Sequence, residues 1–137
     1  MKIRNIENLV ALIEKRPNIP SAEIQVLYEN DHWDGPLEGV CVWRGSEYYF
    51  LTSKSSLNED APRKFVLIEL TPKQKGQEAY WHRLFAEHVS KQKRFGSTLG
   101  PEIETKGREN WTKFYERHEE AEPIEILPEQ VVGWFEM

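Results

Sequence analysis

The chain has one cysteine, Cys41, among its 137 residues. An internal disulfide is therefore impossible, and a single thiol suits a reducing compartment. Long hydrophobic runs are also missing, and no uncharged apolar stretch approaches the ~20 residues that a membrane-spanning helix requires. The opening MKIRNIENLVALIEKRP interrupts its apolar residues with Glu7, Asn8 and Glu14, unlike a secretory leader. These absences lead to the expectation of a cytoplasmic protein without a membrane partner.

Signature sequences are equally scarce. Neither a phosphate-cradling P-loop nor a GxGxxG turn occurs, and no serine sits in a nucleophile elbow. No motif calls for a cofactor. Basic residues gather only in short groups such as Lys91, Lys93 and Arg94, near an expected helix end where cations complement the helix dipole. Without a basic stripe carrying interleaved aromatics, nucleic acid is not an expected partner.

Aromatic residues are plentiful: five Trp, five Tyr and six Phe. Rings in this number can offset chain entropy, which argues against disorder and for a single globular domain over 1–137. Charge is split along the chain. Residues 1–101 hold 14 Lys+Arg against 13 Asp+Glu, whereas residues 102–137 hold 4 against 10, so the overall −5 resides in the last part. Glu116, Glu119, Glu120, Glu122 and Glu125 lie close together there. A field of one sign attracts partners of the other and repels phosphate backbones.

Ile6, Leu9, Val10 and Ile13 recur at helical spacing, with Asn5 placed to cap and Pro17 to stop a helix over 6–16. EIQVLYEN, 23–30, reads as a strand with Ile24, Val26 and Tyr28 on one face. After a turn at 31–36, LEGVCVW and EYYFLTS flank Arg44-Gly45-Ser46. A tight turn centred on Gly45-Ser46 would oppose Trp43 to Tyr48 and Cys41 to Phe50. Both faces of this hairpin are apolar, which predicts a central place in a sheet. KSSLNEDAPR, 54–63, reads as a loop, and KFVLIELT, 64–71, as an interior strand. Thr71-Pro72 then starts a helix over 72–94 with a stripe of Trp81, Leu84, Phe85, His88 and Val89. A loop over 95–107 leads to a helix over 108–120 with Trp111, Phe114, Tyr115 and His118 on one side. IEIL and VVGWF suggest two short strands, with Gly133 at a bulge or a close approach. The expected fold is α+β: an antiparallel meander of about four strands plus two short C-terminal strands, with three helices packed mainly on one face.

Asp31, His32 and Asp34 form the one local grouping with ligand or acid–base character, although Asp is also an ordinary turn residue. His88 and His118 could face each other if their helices packed side by side. Cys41 sits in an apolar strand without a basic neighbour, which speaks against a nucleophilic thiol. Ser53, Ser55 and Ser56 read as loop residues. Trp33 stands in a turn, where an aromatic can remain exposed to a partner. The balance favours a non-enzymatic protein-binding domain of inhibitor or immunity type. It would engage a basic protein through Trp33, Asp34, Glu116, Glu119, Glu120 and Glu122, with no metal. The alternative is a small enzyme or ligand-binding domain using the Asp31–Asp34 turn.

Overall fold

Alternating apolar residues and turn formers put the first half of the chain in strands. A computed structural model describes residues 2–32, 36–53, 61–96, 109, 112–114 and 116–137. Five strands form one sheet: β1 (Gln25–His32), β2 (Pro36–Trp43), β3 (Ser46–Leu51), β4 (Lys64–Ile68) and β5 (Val131–Glu136). Their order in space is their order in the chain, and every neighbouring pair is antiparallel. Helices α1 (Ile6–Val10) and α2 (Pro72–Gly96) and helical residues 112–114 and 116–120 complete an α+β fold.

Backbone contacts gather the chain into two compact units. One contains the sheet, Ile3–Lys73 with Glu125–Met137; the other contains Lys2 with Gln74–Ile124. Apart from Lys2, the helical unit is thus an excursion of the chain between β4 and β5, two strands that lie side by side. Just past the ends of those strands, the Glu69 amide donates to the Gln130 carbonyl at 2.8 Å, and Gln130 Nε2 donates to the Glu69 carbonyl at 2.9 Å.

One face of the sheet buries Cys41, Phe50, Phe65, Leu67 and Phe135 under Ile19. The Phe65 and Phe135 rings stack 5.3 Å apart, and Phe50 meets both edge-on. Ile19 reaches this core because residues 17–19 run along the outer edge of β5. The Ile19 amide donates to the Trp134 carbonyl at 2.7 Å, and the Trp134 amide to the Pro17 carbonyl at 3.1 Å. Gly133 makes this approach possible, since a Cβ there would stand 2.6 Å from Ile19 Cδ1 and 3.1 Å from the Pro17 oxygen. The register also shifts beside it, between Leu67 and Ile68. Close approach and bulge therefore coincide at this glycine. The opposite face buries Val40, Tyr49, Leu51, Val66 and Ile68, with the Tyr49 hydroxyl donating to the Glu38 carboxylate.

Five local expectations change. The hairpin turn is centred on Arg44-Gly45, not Gly45-Ser46. Both residues have positive φ, 50° and 78°, as a type I′ turn demands. Trp43 therefore pairs with Ser46, Cys41 with Tyr48 and Val40 with Tyr49. The strand β1 does not keep Val26 and Tyr28 on one face. An extra residue, Leu27, sets Val26 opposite Cys41 and Tyr28 opposite Val40, and neighbours on β2 point to opposite sides. Gly39 accepts this bulged strand, because a Cβ there would strike the Tyr28 carbonyl oxygen and stand 2.9 Å from Phe50 Cζ.

The helix over 6–16 is α-helical only to Val10 and continues as a tighter 3₁₀ turn, Ala11–Lys15. Asn5 does not cap it with its side chain. Its amide instead acts as a peptide-like clamp: Nδ2 donates to the Ile126 carbonyl at 2.6 Å, and the Ile126 amide donates to Oδ1 at 3.4 Å. IEIL forms no strand of its own, since its backbone is held by this clamp and by Lys2, whose carbonyl accepts from the Ile124 amide at 2.7 Å.

Candidate functional site: an acidic helix face

Within the helical unit, α2 presents Glu78, Trp81, Leu84 and His88 inward, all buried, with Phe85 and Val89 half-buried beside them. All five residues expected in the stripe lie there, three buried and two half-buried, and they are joined by Glu78, a carboxylate that apolar periodicity could not reveal. Phe114 is the ring these residues share. Its centroid lies 6.3 Å from Trp81, 6.0 Å from Phe85 and 5.1 Å from His88. His118 stacks on it at 6.1 Å and meets Trp81 edge-on at 5.1 Å. The two histidines thus flank one phenylalanine. Trp111 and Tyr115, expected on the same stripe, lie outside the described residues.

With Phe114 and His118 turned toward α2, helical geometry fixes what the other side carries. At about 100° per residue, Thr112, Glu116, Glu119 and Glu120 come to the opposite side. All four are exposed. Glu122 follows the end of the helix and is exposed as well. The sequence-expected glutamates 116, 119 and 120 therefore share a face. Glu119 pairs with Lys2, whose Nζ lies 3.2 Å from Oε2 and 3.4 Å from the Glu119 carbonyl oxygen. Glu116, Glu120 and Glu122 have no ion-pair partner among the described residues. Lys113 and Arg117 are the cations interspersed with them.

Trp33 and Asp34 lie outside the described residues. Asp31 and His32 belong to the end of β1, with His32 paired to Pro36, so the expected turn begins later than residue 31. Among the described residues, no three His, Cys, Asp or Glu side chains gather where they could hold a metal ion. Nor does any helix among them have the length and apolarity to cross a membrane.

Cys41 is fully buried, and burial pushes its thiol from an ordinary value of 9.0 up to about 12. A thiol held protonated in this way is a poor nucleophile. Ser53 is buried too, its hydroxyl donating to the Glu7 carboxylate, while Ser55 and Ser56 lie outside the described residues.

Sequence patterning also missed a feature of the hairpin. Trp43 Nε1 is a buried donor with no acceptor among the described residues. Only the pairing of the hairpin exposes this, because it depends on what surrounds the ring. No protein-family model, curated protein or solved structure matches the chain.

Proposed function

We propose that this chain is a non-enzymatic protein-binding domain of inhibitor or immunity type that engages a basic partner through the exposed glutamates at 116, 119, 120 and 122. The observation that carries the reading is the shared orientation of Glu116, Glu119 and Glu120, away from the Phe114 contacts and into water. Clustered exposed charge accelerates encounter with an oppositely charged surface and makes association sensitive to salt. A buried, protonated Cys41 is compatible with a reducing, cytoplasmic setting, and the sign of the field disfavours nucleic acid.

The test is association kinetics with a basic protein captured from the native host. Charge reversal by Glu116→Lys, Glu119→Lys and Glu120→Lys together should slow association by at least about tenfold at low salt and flatten its salt dependence. Unchanged rates and an unchanged salt slope would remove the acidic face from recognition.

A further inference from the structure

Three features coincide at the tip of the β2–β3 hairpin. Arg44 holds φ at 50°, a left-handed conformation that Asn or Gly adopts more easily at this turn position. Its guanidinium carbon lies 4.5 Å from the centre of the Trp43 ring, although Arg44 itself is exposed. The Trp43 indole N–H is buried with no acceptor among the described residues. A buried donor left unsatisfied is costly, and such a group calls for an explanation. Strained backbone at a tip points the same way.

The surroundings fit a recognition surface. The Tyr48 ring lies 5.7 Å from Trp43, tilted by 59°. Ile24, Val26 and Val132 are half-buried and rest on the same fully buried core of Cys41, Phe50, Phe65, Leu67 and Phe135. Trp, Arg and Tyr are the residue types that dominate binding energy at interfaces, most effectively on a rigid base. An occupant must bring an acceptor for the indole, negative charge for the guanidinium and an apolar group for the rim.

We propose that Trp43, Arg44 and Tyr48 form a docking point for a carboxylate-bearing, partly apolar peptide segment of a partner protein. On binding, the guanidinium leaves the indole face and pairs with the carboxylate. The site is independent of the acidic helix face and selects the opposite charge.

The probe is an acetylated, amidated Glu-Phe-Glu peptide, with Gln-Phe-Gln as its neutral counterpart, titrated into nitrogen-15-labelled full-length chain. The Trp43 indole resonance is assigned by its loss in Trp43→Phe. The acidic peptide should shift that resonance to saturation, and the neutral one should bind at least about tenfold more weakly. Arg44→Asn separates function from fold. It relieves the turn and should raise the unfolding midpoint, while weakening the acidic peptide at least about tenfold. An indole resonance that neither peptide moves, equal binding of the two peptides, or wild-type affinity in Arg44→Asn would each overturn the proposal.

Discussion

Tyr49, Phe50, Phe65, Leu67, Ile68 and Phe135 of the sheet unit are wholly withdrawn from water, whereas Trp81, Leu84, His88 and Phe114 of the helical unit each keep 8% or 9% of their surface exposed. The sheet couples its core to a ladder of backbone hydrogen bonds, so the loss of one ring is felt across five strands. Among the described residues of the helical unit, aromatic contacts converge on Phe114. A core of that kind can open locally while the rest of the molecule stays folded.

The sharpest probe of this contrast is Phe135→Ala. Deleting a ring stacked on Phe65 and touching Phe50 should cost about 4 kcal/mol. Denaturant unfolding should show the loss by every probe at once. Phe114→Ala should cost the helical unit about 3 kcal/mol, read by hydrogen exchange. Amides of α2 should lose protection while those of β2 and β3 keep theirs; equal losses in both would erase the distinction between the units.

Cys41 gives a smaller, pH-dependent signal from the sheet core. Folding keeps its thiol protonated up to about 12, whereas the unfolded chain ionises from 9.0. Above that lower value the unfolded state binds fewer protons, so stability falls as pH rises. From pH 7 to pH 10 the unfolding free energy of the native chain should fall by about 1 kcal/mol more than that of Cys41→Ala, read from denaturant unfolding of both at the two pH values. The least effect belongs to Lys2→Ala. Its ion pair with Glu119 is exposed, and removal should cost the helical unit no more than about 0.5 kcal/mol in a thermal melt at low salt.

The strands over 36–51 and 64–68 and the helix from Pro72 were legible because apolar patterning and turn chemistry agreed there. The registers were harder. Arginine is not a preferred left-handed residue, so Arg44 concealed the true centre of the hairpin. Leu27 resembles an ordinary strand residue, and its bulge is set by what β2 offers at Gly39. Asn5 has the chemistry of a cap, but a segment more than a hundred residues away competes for the same amide. At the candidate site, the glutamates were visible as composition, and their common orientation followed once Phe114 and His118 defined the inner side of the helix. Trp43 gave no warning, because an indole lacking an acceptor differs from any other only in its surroundings.

The paired bonds between Glu69 and Gln130 act as a neck. Chain leaves the meander through it and returns through it, and the ladder between β4 and β5 closes on the same backbone groups and the Gln130 amide. Bringing the two ends of roughly sixty residues together demands about 2 kcal/mol more chain entropy than closing a four-residue turn. That sum is the standing charge for carrying a separate module at this point. It also marks the neck as the natural splice junction, where the helical segment could be exchanged for another without rewriting the sheet.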